Sequence, residues 1–86
     1  MYGGEEMRVT MEAANEMVGV LIDRFGKDIP IMPVDEGHFR TVVNVAVSNQ
    51  FLGWIMAVGS DVRITAPESV VEKMREEIRR LSEQYK

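Results

Sequence analysis

The succession of hydrophobic periods in this chain predicts an α+β domain, one antiparallel sheet with helices packed on it. Three observations carry the prediction. Met7–Glu12 and Phe39–Val47 alternate with the two-residue period of strands, whereas Ala13–Phe25 and the segment after Pro67 repeat apolar residues at helical spacing. Two further runs, Ile29–Val34 and Val62–Thr65, are short and extended in character. Glycine, proline or acidic turn residues separate neighbouring runs at most of the junctions.

In chain order, Met7, Val9 and Met11 face one way and Arg8, Thr10 and Glu12 the other, as in a half-buried strand. From Ala13 the period changes. Met17, Val18, Leu21, Ile22 and Phe25 share one helical face, Asn15, Glu16, Asp23 and Arg24 take the other, and Gly26 stands where a left-handed cap ends a helix. The first helix is therefore expected over Ala13–Phe25. Ile29–Val34 carries Pro30 and Pro33, which cannot donate to a ladder, so this strand belongs at an edge or is irregular. Asp35–Gly37 is a turn, and it joins that strand to the strongest one in a hairpin. Phe39, Thr41, Val43, Val45 and Val47 alternate there with His38, Arg40, Val42, Asn44 and Ala46, and a second face that is also fairly apolar implies a central position. Ser48 can cap a short helix whose apolar face is Phe51, Leu52, Ile55 and Met56, widened by Trp54 and Val58 and stopped by Gly59. Val62 and Ile64 mark a fourth strand. Pro67 and Glu68 suit a first helical turn, and Val70, Val71, Met74, Ile78, Leu81 and Tyr85 form the stripe of a last helix. Glu76 with Arg80 and Arg79 with Glu83, four apart, are its expected ion pairs.

The first six elements follow the split βαβ plan, a ferredoxin-like βαββαβ sandwich with an additional C-terminal helix and an antiparallel sheet order 4-1-3-2. Met7, Val9, Met11, Phe39, Val43, Val45, Val47, Val62 and Ile64 are expected to face the helices. The opposite sheet face, with Arg8, Thr10, Glu12, Met32, His38, Arg40, Val42, Asn44, Ala46, Arg63 and Thr65, is too polar for a deep core and sticky for free surface.

A chain of 86 residues makes one domain. Residues 1–6, with two glycines and two acids, read as a flexible leader or the place where a larger protein was cut, and residues 7–86 as the single domain. No cysteine is present, which removes disulfides, thiolate metal sites and cysteine nucleophiles, and fits a cytoplasmic setting. The net charge of −4 repels phosphate backbones, no basic run offsets it, and no apolar run is long enough to cross a bilayer.

Bond-making machinery is not recognisable. His38, the only histidine, lies beside Asp35 and Glu36 at a turn and reads as solvated; no catalytic, cofactor or metal residue is assigned. Arg8, Arg40 and Arg63 lie on neighbouring strands of the open face. They are a candidate anion-binding set, with a solvated, acid-paired face as the alternative. Trp54 reads as a core or interface anchor, and the seven methionines suit an adaptable core or interface. The candidate protein interface is Val42 with Val70, Met74, Ile78, Leu81 and Tyr85. The last helix either folds back on its own domain or packs on a second chain, and partial coverage allows both.

Phe51–Gly59 (FLGWIMAVG), followed by Asp61-Val62 and Ala66-Pro67-Glu68, resembles the C-terminal extension (WCX) domain of bacterial WYL-domain transcriptional regulators. Arg8-Val9-Thr10 before an alanine-led helix, and Val42–Val47, resemble that family's first and third strands. The resemblance implies a ferredoxin-like end module, associated with dimerisation and with coupling between a winged-helix DNA-binding domain and a ligand-sensing WYL domain. Neither of those domains lies within the chain. No nucleic-acid contact is therefore expected from it, no cofactor is implied, and the partner is a second copy or an upstream domain of the same regulator. By position Trp54 and Gly59 match packing residues. Small-molecule or anion sensing through the arginine face is the alternative function.

Overall fold

The computed structural model describes residues 6–86. The elements are β1 (Glu6–Ala14), a 3-10 turn at Asn15–Met17, α1 (Val18–Phe25), β2 (Met32–Pro33), β3 (His38–Ala46), α2 (Asn49–Ala57), a second 3-10 turn at Gly59–Asp61, β4 (Val62–Ala66) and α3 (Glu68–Gln84). The four strands form one sheet in the order β2-β3-β1-β4, with antiparallel neighbours throughout. Counted from the β4 edge, the same succession reads 4-1-3-2. β1 pairs with β3 along its whole length, from Glu6 opposite Ala46 to Ala14 opposite His38. β4 lies on the other side of β1, with a register shift between Thr10 and Met11.

The largest departures from the sequence expectation lie at three boundaries. Glu6, grouped with the leader, is the first residue of β1; residues 1–5 lie outside the described residues. The helix expected from Ala13 begins only at Val18. Ala13 is paired with Phe39 on one side and Val62 on the other, and Ala14 with His38. The Asn15 N–H donates to the Gly37 carbonyl and its side-chain amide to the Glu36 carbonyl, both at 2.9 Å, which fastens the end of β1 to the hairpin turn. Two-sided ladder pairing outweighs the high helix propensity of alanine here. β2, expected over Ile29–Val34, pairs only through Met32 and Pro33. Pro30, two residues before Met32, supplies no N–H where the ladder would continue, so the segment holds the edge for only a short stretch.

The punctuation follows from local chemistry. The Ser48 hydroxyl accepts the Phe51 N–H at 3.3 Å and caps α2. Gly26 (φ +99°) and Gly59 (φ +87°) turn the chain after α1 and α2 in a region that L side chains avoid.

The core lies between the sheet and the helices. Val9, Met11 and Ala13 of β1, Phe39 and Val43 of β3, Leu21, Phe51, Leu52, Ile55, Val62 and Val70 are all buried in one cluster. Met7, Val45 and Ile64, expected in the core, are only partly buried against it, while Ala13 and Thr41 lie deeper than expected. The Thr41 hydroxyl is buried without a hydrogen-bond partner among the described residues. Trp54 fastens α1 to α2: the Phe25 ring meets it edge-on at 5.4 Å, and the Arg24 guanidinium lies 5.4 Å above it.

Candidate functional site

At 17 residues α3 is the longest element, about 25 Å at ~1.5 Å per residue. It is preceded by the extended Pro67, whose carbonyl accepts the Val70 and Val71 N–H groups at 3.0 and 3.2 Å. Its first half is anchored. Val70 is fully buried, and Met74 is half-buried against the core. Val71 and Met74 also line a groove of about 220 Å³ with Ile55, Met56, Val62 and Ile64. The second half is largely exposed. Ile78 is 55% exposed and Tyr85 77%, with Leu81 half-buried between them. Val71, Met74, Ile78, Leu81 and Tyr85 are separated by steps of three and four, the spacing of a seam that receives another helix.

Ion pairs stiffen the polar sides of this helix. Arg75 reaches Glu72 at 2.6 Å and Glu68 at 3.3 Å, Arg80 reaches Glu77 at 2.8 Å, and Lys86 reaches Glu83 at 3.2 Å. Most of these pairs are three apart rather than the expected four, and Arg80 also donates to the Gln84 side chain. The hydrogen bond from Arg80 holds the Glu77 carboxyl below its ordinary range. Donating to the Glu72 carboxylate raises Arg75, and donating to that of Glu77 raises Arg80.

Val42, grouped with the stripe, lies on the open sheet face, because it alternates with the buried Thr41 and Val43. It lines a separate cavity with Arg8 and Asn44 at the β3 edge.

Arg8, Arg40 and Arg63 do share the open face. Glu12 stands between two of them: it pairs with Arg40 across β3 and with Arg63 across β4, and its carboxylate accepts from Arg40 at 3.0 Å. Asp35, Asp61 and His38 join Glu12 and Arg63 around a cavity of about 320 Å³. Arg8 is opposite Asn44, four residues back along β1 from Glu12, or about 13 Å at ~3.3 Å per residue. The arrangement neutralises itself at the Arg40–Arg63 end and leaves Arg8 apart.

His38 belongs to the hairpin turn. The Asp35 carboxylate oxygen accepts the Gly37 N–H at 2.8 Å and contacts the His38 Nδ1 at 2.9 Å. The His38 and Gly37 hydrogen bonds hold the Asp35 carboxyl below its ordinary range. Among the described residues no group of three or more His, Cys, Asp or Glu side chains is placed to hold a metal.

The alternation along β3 did not reveal that half of its outer edge is uncovered. β2 pairs with Phe39 and Arg40 only. Beyond them, two grooves of about 650 Å³ each adjoin at Phe25 and Asn44 and follow the edge from Val42 to Ala46. The prolines of the preceding segment were the available signal.

A family model described as WCX domain matches residues 5–82. The chain belongs to the WCX domain family. WCX domains are regulatory domains of transcription regulators, and the family is not a known enzyme family. Comparison with curated proteins and with solved structures gives no match. In this WCX domain no helix of the described residues is long and apolar enough to cross a membrane. Its most distinctive geometry is a last helix with one half seated on the domain and the other half carrying a largely exposed apolar seam.

Proposed function

We propose that this WCX domain is a non-enzymatic dimerisation and regulatory module of a bacterial, cytoplasmic transcription regulator, built on the ferredoxin-like plan. It couples effector sensing to DNA binding carried by other domains. The observation that carries the reading is the second half of α3, where Ile78 and Tyr85, with the half-buried Leu81 between them, continue a seam that its own fold leaves largely exposed. Burying a large apolar side chain is worth roughly 1.5–3 kcal/mol. A seam of this kind therefore favours association with protein, either a second copy or a neighbouring domain. Anion sensing at Arg8, Arg40 and Arg63 has weaker support, because Glu12 already neutralises the centre of that face.

The reading frame upstream of Met1 tests the coupling. Codons for a winged helix and a WYL domain are expected there. A frame that opens at Met1 and encodes neither would contradict it.

A further inference from the structure

The outer edge of β3 has a geometry that selects its own partner. The His38 carbonyl accepts the Val34 N–H, so its backbone groups point toward β2. Alternate residues of a strand point the same way. Val42, Asn44 and Ala46 therefore aim their N–H and C=O groups outward, where β2 no longer runs and no strand of the described residues pairs with them. Protein edges are ordinarily blunted by prolines, charges or bulges. The covered stretch is guarded in this way by Pro30 and Pro33, whereas Val42-Val43-Asn44-Val45-Ala46 carries no charge and no proline.

We propose that this edge pairs antiparallel with the same edge of a second copy of the chain, about a two-fold axis at Asn44, joining two sheets into one. The proposal rests on the dimerisation reading above and assigns it a surface. Two features select a second copy over an unrelated strand. The first is the register. Centring on Asn44 sets Asn44 against its equivalent, Val42 against Ala46 and Val43 against Val45, so every outward backbone group is paired and small or apolar side chains meet on both faces. The second is charge. The groove at the Val42 end is lined by Arg8 and Asp28, and the groove at the Ala46 end by Glu6 and Arg24. Arg8 and Glu6 lie on the open face, and Arg24, stacked on Trp54, lies on the helix face. Two-fold symmetry brings the Val42 end of one copy to the Ala46 end of the other. Asp28 then meets Arg24 of the second copy, twice, with opposite signs, whereas the two Arg8 residues, each level with Asn44, stand at the axis three strand spacings apart, about 14 Å at ~4.8 Å each, where salt screens them. Such an interface is isologous and closes on itself.

The chain has no cysteine, which makes the test direct. Antiparallel hydrogen-bonded partners have Cα atoms about 5.5 Å apart, within disulfide reach. Under mild oxidation Asn44→Cys is expected to give mostly cross-linked dimer, and Ala57→Cys, exposed at the end of α2, mostly monomer. Asn44→Pro removes an outward N–H while sparing the bonds to β1. It should weaken the dimer at least tenfold in sedimentation equilibrium with an unchanged circular dichroism spectrum. Arg24→Glu should also weaken it, and adding Asp28→Arg should restore it. Three results overturn the proposal: a wild-type chain that stays monomeric, cross-linking of Asn44→Cys no greater than that of Ala57→Cys, or a dimer that survives Asn44→Pro. If the dimer survives Asn44→Pro but is lost on combining Ile78→Glu with Leu81→Glu, dimerisation stands and α3 is its surface.

Discussion

The two halves of α3 have nearly the same composition and opposite fates. Both carry an apolar residue every three or four positions and both are laced by Glu–Arg pairs. Yet Val70 is fully buried, whereas Ile78 and Tyr85 are among the most exposed apolar residues of the domain. The first half lies over β4 and closes the core; the second extends along the same line with only Glu77 and Leu81 partly covered. The stripe of an amphipathic helix therefore records that a face is to be buried, and geometry decides which part is buried by its own chain. What its own fold leaves open is available to a partner.

The sharpest way to break this comparison is to charge the anchored half. Val70→Asp places an unpaired carboxylate in the core, and a loss of about 3–5 kcal/mol is expected, read from denaturant unfolding. If Val70→Asp proved harmless, the anchored half would not be anchored. Met74→Ala sits between the regimes. Its side chain is only partly buried, so about 1–2 kcal/mol is expected, below the range for a fully buried methionine. Ile78→Ala should change monomer stability by no more than about 0.5 kcal/mol, and a much larger loss would place Ile78 in the domain's own core.

The smallest effect concerns the ion pairs. The Glu77 carboxyl is held below its ordinary value of 4.5 by Arg80. A depressed carboxyl contributes stability that is present above the ordinary value and lost as pH falls through the lowered one. Far-UV circular dichroism should therefore show the distal half of α3 loosening slightly below pH 4.5, while the anchored half holds. Because Arg80 is exposed and Glu77 only partly covered, Glu77→Gln should lower the melting temperature only slightly, and salt should reduce the difference.

Much of the architecture was legible because period and punctuation agree. The alternation through β3, the Ser48 cap and the glycines after α1 and α2 each mark an element locally. The end of β1 was not legible. Ala13-Ala14 favours a helix in isolation, and pairing of Ala13 with both β3 and β4 and of Ala14 with β3 keeps it extended. Thr41 shares the inward parity of its neighbours, but its full burial depends on what covers it. The side on which each arginine falls could be read from the alternation. That Glu12 stands between Arg40 and Arg63 depends on register, which only the paired sheet reveals. The uncovered seam and the open edge were hidden for a similar reason: both depend on how far β2 and the body of the domain extend.

The central claim is that this domain works through surfaces its own fold leaves uncovered. Amide hydrogen exchange at low and at high chain concentration tests it most directly, since protection reports local opening residue by residue. The account predicts concentration-independent protection around Val70 and through β1, and protection that rises with concentration along Ile78–Tyr85, along Val42–Ala46, or along both. Exchange that is identical at the two concentrations throughout the chain would contradict it.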